Sequence, residues 1–180
     1  MERLDRQVWI KAGLAALAEN GLAAVRVELL AKQLKITKGS FYWHFADRRE
    51  LLSAMIETWE NNQTTEIIAL VEAEGGPSHE RLEHLSIALT QLDMQLEVAM
   101  RGWAATDSDV RRVLQRIDLA RCAYLRSIIE SAGVPSDAAQ ARARLVYYAL
   151  IGELMSGSED WLQTHLESMA LNRPMILRWP

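Results

Sequence analysis

Apolar residues recur with the period of an α-helix along almost the whole chain, and this pattern limits the fold more than any other feature. The first segment places Trp9, Ile10, Gly13, Leu14 and Leu17 on one helical face. No run shows the sustained two-residue alternation of a half-buried strand. The sequence therefore predicts an all-α protein.

Turn-forming residues divide this pattern into segments. Asn20-Gly21 predicts the end of a first helix, and Gly75-Gly76-Pro77 predicts the end of a long helix that begins after Asp47. Asp47 is expected to cap that helix, and Thr37 to cap a short one through its hydroxyl and the amide of Ser40. The predicted helices span about residues 5–19, 27–34, 37–44, 47–75, 79–100, 109–132, 136–156 and 158–171.

The charge of the chain is unevenly distributed. The whole sequence has a net charge of -4, yet residues 1–50 hold nine basic and six acidic side chains, a local charge of +3. No lysine follows Lys38. Such a basic N-terminus favours contact with a polyanion such as DNA, although a charge cluster of this size also occurs on ordinary solvated surfaces.

Residues 27–44 fit the plan of two short helices joined by a tight turn, the arrangement of a DNA-binding helix-turn-helix. The run Phe41-Tyr42-Trp43-His44-Phe45 lies at the end of this segment. A plain core stripe is the alternative interpretation, but five successive ring side chains cannot all point inward from a helix. Phe41 and Phe45 are expected in the core, and part of the run is expected at the surface.

The segment AKQLKITKGSFYWHF, followed by ADRRELL, resembles the N-terminal domain of the TetR family of transcriptional regulators. The resemblance covers about 45 residues, from Trp9 to Leu52, and is looser in the remainder. Two positions depart from the family pattern. Arg26 stands where a Thr or Ser cap is usual, and Glu28 stands at a frequent DNA-contact position. Glu28 is able to pair with Lys32 one turn on, or to accept a hydrogen bond from cytosine N4.

The resemblance implies a helix-turn-helix DNA-binding domain at residues 1–46 and a helical regulatory and dimerisation domain at residues 47–180. Thr37 and the positive end of its helix suit a phosphate, Lys38 suits guanine or phosphate, and Gly39 permits close approach to the groove. The predicted DNA contacts are Thr37, Lys38, Gly39, Ser40, Tyr42, Trp43, His44 and Arg48.

A homodimer is also implied, because two recognition helices about 34 Å apart read successive turns of a palindromic operator. The candidate interface is an apolar stripe on each of the last two helices, although packing within one chain explains either stripe equally well. Its predicted residues are Leu145, Ala149, Gly152, Trp161, Leu162 and Leu166.

A small-molecule effector is the further expectation, with a repressor released from the operator when the effector binds. The alternative is a DNA-binding regulator of the same fold without an effector. Apolar and aromatic residues are typical of ligand cavities, but each candidate is also an ordinary core residue. The candidate lining residues are Met94, Met100, Trp103, Tyr124 and Tyr147.

Other functional classes lack support in the sequence. We expect no enzyme, because no catalytic triad, phosphate loop or convincing pair of carboxylates is present. No metal-ligand spacing or cofactor motif occurs, so neither a metal nor a cofactor is expected. The single cysteine, Cys122, is interpreted as a small buried hydrophobe. A cytoplasmic protein without a membrane segment is predicted.

Overall fold

The computed structural model describes residues 5–157 and 161–179, and the side chains of all of these except 161 and 162. Within these ranges the chain is helical and contains no strand, which confirms the predicted all-α class. The helices are α1 (Arg6–Asn20), α2 (Val27–Gln33), α3 (Lys38–Phe41), α4 (Arg48–Glu60), α5 (Glu66–Glu74), α6 (Ser78–Leu89), α7 (Met94–Thr106), α8 (Ser108–Ser131), α9 (Ser136–Met155) and α10 (Trp161–Leu177). A 3-10 turn (Leu22–Ala24) follows α1, and a π-helical turn (Asn61–Thr65) joins α4 to α5.

Most predicted helix ends are confirmed. Gly21 has a φ of 73° and donates its backbone N–H to the carbonyl of Leu17, which ends α1. The Asp47 carboxylate accepts from the amide of Glu50 at 2.9 Å, as predicted for a cap of α4. The predicted Thr37 cap is wrong, because its backbone carbonyl, and not its hydroxyl, accepts from Ser40 N–H at 3.1 Å.

Two predicted helices are each divided in two. The expected long helix 47–75 consists of α4 and α5 with the π-helical turn between them. The expected segment 79–100 is interrupted between Thr90 and Asp93, so that α6 ends at Leu89 and α7 begins at Met94. The Asp93 carboxylate accepts from the amide of Leu96 at 3.1 Å and caps α7. Apolar periodicity continues across this break, and periodicity alone therefore did not reveal it.

The last helix is longer than expected. It continues through Pro174 to Leu177, whereas the sequence predicted its end near residue 171. The predicted start at residue 158 lies outside the described residues.

Packing divides the chain into two compact units. Of the described residues, the first unit contains 5–62 and 93–114, and the second contains 63–92, 115–157 and 161–179. The predicted boundary at residue 46 concerns function and stays a prediction.

The first unit has a core of large apolar side chains from α1, α3, α4 and α7. Trp9, Phe41 and Met55 are fully buried, and Met100 is 1% exposed. Helix α7 packs on α1 within this unit, so it lies with the N-terminal helices although 33 residues of sequence (61–93) separate it from α4. Burial of this apolar surface is the main force that holds the unit together.

The second unit has its own hydrophobic core. Val71 of α5, Leu82 of α6, Ile128 of α8 and Ala139 of α9 are buried at its centre. Cys122 belongs to the same cluster at 4% exposure, and burial raises the pKa of its thiol. The interpretation of Cys122 as a small hydrophobe is confirmed.

The described residues contain neither a membrane span nor a metal-binding cluster. None of the helices described here is both long and apolar enough to cross a bilayer. Over the same residues, no group of three or more His, Cys, Asp and Glu side chains is arranged to hold a metal ion.

Candidate nucleic-acid interface

A tight turn between α2 and α3 positions the candidate recognition residues. Lys35 adopts a left-handed backbone conformation with a φ of 57°. The amide of Ile36 donates to the carbonyl of Ala31 at 3.0 Å, and the amide of Lys35 donates to that of Lys32 at 3.2 Å. This is the Schellman hydrogen-bond pattern, which reverses the chain within two residues. No glycine marks the turn, so the sequence carried little signal for its conformation.

The aromatic run divides between the core and the surface. Phe41 and Phe45 are 0% and 1% exposed, and Phe41 makes an edge contact with Trp9 at a ring-centroid distance of 5.2 Å. Tyr42 and Trp43 are 62% and 82% exposed. Both parts of the prediction for this run are confirmed. Burial of Phe41 and Phe45 fixes the backbone at both ends of the run to the core, so that Tyr42 and Trp43 lie at the surface.

The other polar candidates lie around the same short helix. Thr37, Lys38 and Gly39 are exposed, and Ser40 and His44 are half-buried. Regular α-helix extends only from Lys38 to Phe41, and a single turn carries the chain to His44, which is shorter than predicted.

The fold of the chain does not require a glycine at position 39. Its φ is not positive, and a Cβ at this position would meet only the Thr37 hydroxyl oxygen, at an ordinary 3.7 Å. An alanine would also favour the helix. The absence of a side chain on this exposed surface is therefore suited to close approach of another molecule.

Lys38 is paired with Glu28. Its Nζ donates to Glu28 Oε1 at 2.9 Å, and the two side chains are 56% and 54% exposed. The predicted partner of Glu28, Lys32, is not the one found. The hydrogen bond from Lys38 holds the pKa of the Glu28 carboxyl below its usual value, so the group is ionised at neutral pH.

Arg48 makes contacts inside the first unit. Its Nε donates to the carbonyl of Val25 at 2.5 Å, and its Nη2 donates to that of Leu22 at 3.2 Å. The guanidinium therefore ties the start of α4 to the 3-10 turn before α2. Its predicted contact with phosphate stays a prediction, and these two carbonyls are partners that the sequence did not suggest.

The five candidate effector residues fall in both units. Met100 and Trp103 are buried in the first unit, and Met94 is half-buried there. Tyr124 and Tyr147 belong to the second unit. Their role in effector binding stays a prediction.

Tyr147 belongs to a buried polar network in the second unit. Its hydroxyl donates to Asp118 Oδ1 at 2.5 Å and accepts from Arg121 Nη1 at 3.4 Å. Arg121 Nε also donates to the hydroxyl of Thr64 at 2.9 Å, and its Nη2 to the carbonyl of Gln63 at 3.3 Å. The network thus includes the π-helical turn, a type of distortion often found at functional sites.

A cavity of about 230 Å³ lies between α6 and α10 in the second unit. Its walls are mostly apolar, and two of the lining residues are hydrogen-bonded, with Arg173 Nη1 donating to Glu83 Oε2 at 2.6 Å. None of the five candidate effector residues lines this cavity. Its lining residues are Leu82, Glu83, Ser86, Ile87, Leu166, Met169, Ala170 and Arg173.

The candidate dimer residues of α9 form an exposed stripe. Leu145 is 65% exposed, and Ala149 and Gly152 are exposed on the same face. Leu166 of α10 is 36% exposed. The side chains of Trp161 and Leu162 lie outside the described residues. Packing within one chain does not cover the α9 stripe, and its role in dimerisation stays a prediction.

Comparison with known proteins finds matches to the N-terminal region of the chain. Residues 10–55 match the family model of bacterial regulatory proteins, tetR family. Over 57 residues the chain is 40% identical to the tetracycline repressor protein class G of Vibrio anguillarum. This match covers 32% of the chain and 27% of the repressor, so the chain spans about a quarter of that relative's length.

Two further matches extend over most of the chain. The HTH-type transcriptional regulator AcrR of Shigella flexneri is 24% identical, with 87% of the chain and 78% of AcrR covered. The crystal structure of a TetR transcriptional regulator from Legionella pneumophila aligns with a TM-score of 0.77 at 14% identity, covering 94% of the chain and 97% of that structure. At this identity the structural likeness is one of fold.

Proposed function

We propose that this chain is a transcriptional repressor of the TetR family of bacterial regulatory proteins and that it binds operator DNA as a homodimer. Its N-terminal residues match the family model, and its helices share the fold of a solved TetR transcriptional regulator. Such a protein acts in the cytoplasm. The observation that carries the proposal is the exposure of Tyr42 and Trp43 in the turn that follows α3, between the buried rings of Phe41 and Phe45.

DNA contact explains three exposed features that the fold itself does not need. Trp43 is 82% exposed and adjoins exposed Tyr42, and contiguous exposed apolar surface is typical of an interaction site. Gly39 leaves an open surface for the backbone to approach a groove wall. Lys38 supplies a cation for phosphate or guanine. We further propose contacts from Thr37, Ser40, Tyr42 and His44, and a phosphate contact from the part of Arg48 not bound to Val25 and Leu22.

The proposed dimer rests on the exposed stripe of α9. Leu145, Ala149 and Gly152 would pack against the same surface of a second copy, as a two-fold axis requires. Leu145→Glu places a charge at the centre of this surface and is expected to give a monomer in analytical ultracentrifugation. Gln140→Glu, an exposed position of α9 outside the stripe, is the control and is expected to remain a dimer. An unchanged dimer in Leu145→Glu would exclude this interface.

The proposed effector site is the cavity between α6 and α10. Its volume suits a ligand smaller than a typical drug, with an apolar body and a polar group that meets Arg173 or Glu83. A ligand that binds one conformation better would shift the population away from the operator-binding form. Of the five predicted residues, Tyr124 and Tyr147 belong to this unit.

Ala170→Phe tests this site because it fills the cavity from an exposed position of α10. A screen of small apolar acids and amines is expected to yield compounds that both stabilise the wild type and lower its operator affinity. Both effects should be lost in Ala170→Phe. Operator binding without any such compound would favour the alternative, a regulator of the same fold that has no small-molecule effector.

The decisive test of DNA binding is a salt titration. The wild type and a Tyr42→Ala/His44→Ala double variant are compared on fragments from the DNA adjoining the gene. A protein that makes six or more phosphate contacts loses affinity with a slope of about -5 or steeper in a plot of log K against log salt. The double variant should bind these fragments more weakly than the wild type. The proposal would be contradicted if the wild type bound these fragments no more tightly than random DNA and a genome-wide selection of bound fragments also enriched no sequence.

A further inference from the structure

Lys38 and Glu28 form a preassembled donor and acceptor on the proposed DNA-binding surface. Nζ and Oε1 are 2.9 Å apart, and both side chains are a little more than half exposed. An ionised carboxylate only accepts hydrogen bonds, and an ammonium only donates them. The pair therefore offers a fixed order of donor and acceptor to whatever lies above it.

The donor and acceptor groups at the major-groove edge of a base pair are separated by the same distance. In a G·C pair, cytosine N4 donates to guanine O6, and such an N–H···O bond is about 2.9 Å long. Guanine O6 and N7 keep free lone pairs in the groove, and cytosine N4 keeps a second N–H. A donor and an acceptor about 2.9 Å apart can therefore meet O6 and N4 of a single base pair without separating from each other.

We propose that Lys38 and Glu28 act as one reading unit, in which Lys38 donates to guanine and Glu28 accepts from the cytosine N4 amino group of the same base pair. The inference rests on the proposed function as an operator-binding protein. It assigns Glu28 as a specificity-determining residue, although a carboxylate would otherwise be repelled by the phosphates of DNA.

The chemistry of the four base pairs predicts an order of preference. G·C presents acceptors to Lys38 and a donor to Glu28. T·A presents O4 and N6 in the same order but replaces N7 by a methyl group, so it is second. A·T and C·G reverse the order and set the carboxylate against an acceptor. Each reversal is expected to weaken binding by about 5- to 150-fold, which corresponds to a discrimination of about 1–3 kcal/mol.

An alternative role for Glu28 is purely electrostatic. In that case the carboxylate lowers affinity for all DNA by repelling phosphates and by occupying Lys38, and no single base pair is affected more than another. Glu19 provides a matched control, because it is exposed on α1 and its change to Gln alters the net charge by the same amount.

Selection from randomised DNA with the wild type, Glu28→Gln and Glu19→Gln separates these roles. A glutamine amide both donates and accepts, so Glu28→Gln should tolerate A·T and C·G at one position of each half-site and keep its preferences elsewhere. Glu19→Gln should keep the wild-type preferences. Equal gains in affinity for all sequences in both variants would overturn the proposal.

A modified base tests the cytosine contact directly. Replacing the cytosine at that position by 2-pyrimidinone removes the N4 amino group while guanine stays in place. The wild type should lose about tenfold in affinity, as expected for one charge-assisted hydrogen bond, and Glu28→Ala should lose almost nothing. Equal losses in the two proteins would refute the contact. If selection with the wild type enriched no sequence, the proposed function itself would be refuted. If the wild type bound a specific sequence but Glu28→Gln showed the same preferences, only the reading role of Glu28 would be refuted.

Discussion

Replacing Arg48 by Met distinguishes a structural from a DNA-contacting role for this residue. The change keeps the apolar stem and removes two hydrogen bonds, from Nε to the carbonyl of Val25 and from Nη2 to that of Leu22. Hydrogen bonds that involve a charged group contribute about 1.5–3 kcal/mol each. Because Arg48 is only partly buried, water compensates for some of this loss. We therefore expect a fall of about 2 kcal/mol in the free energy of unfolding, below the full sum of the two bonds.

The assay is guanidinium denaturation at one fixed protein concentration, because the stability of a dimer depends on its concentration. Arg49→Met is the matched control, since Arg49 is exposed at the next position of α4 and should change stability by less than about 0.5 kcal/mol. The structural role would be refuted if Arg48→Met left the free energy of unfolding unchanged and reduced the slope of log K against log salt by about 1, the amount expected for one phosphate contact.

Three further predictions address single side chains. Gly39→Ala should leave the free energy of unfolding unchanged or raise it by up to about 1 kcal/mol. The same change should weaken operator binding in a fluorescence-anisotropy titration, and unaltered binding would contradict close approach of DNA at Gly39. Tyr147→Phe should destabilise the protein by about 1–3 kcal/mol in guanidinium denaturation, because it removes the hydroxyl between Asp118 and Arg121; a neutral result would show that this network adds no stability. Burial lowers the pKa of His165 from its ordinary 6.5, so the unfolded chain binds the proton more readily and stability should fall as the pH drops below about 6.5. His165→Gln should remove this part of the pH dependence in thermal melts, and an identical profile in both proteins would assign it to other groups.

Local sequence patterns were sufficient for most helices and for the character of the candidate interface. The predicted cap at Asp47 and the end of α1 at Gly21 are present because each depends on residues within one helical turn. The division of the aromatic run followed from helix geometry alone, since successive side chains point in different directions. Phe41 is accordingly buried and Trp43 exposed.

Contacts between distant positions were decided only by the tertiary structure. Glu28 lies within reach of Lys32 along its own helix, but the turn at Lys35 brings Lys38 to it instead. Arg48 was expected to contact DNA, and its partners within the chain are carbonyls 23 and 26 residues earlier. A helical period fixes which face of a segment is apolar, because neighbours three and four residues apart set it. It does not fix which distant backbone or side chain meets the polar face, because that depends on how the helices pack.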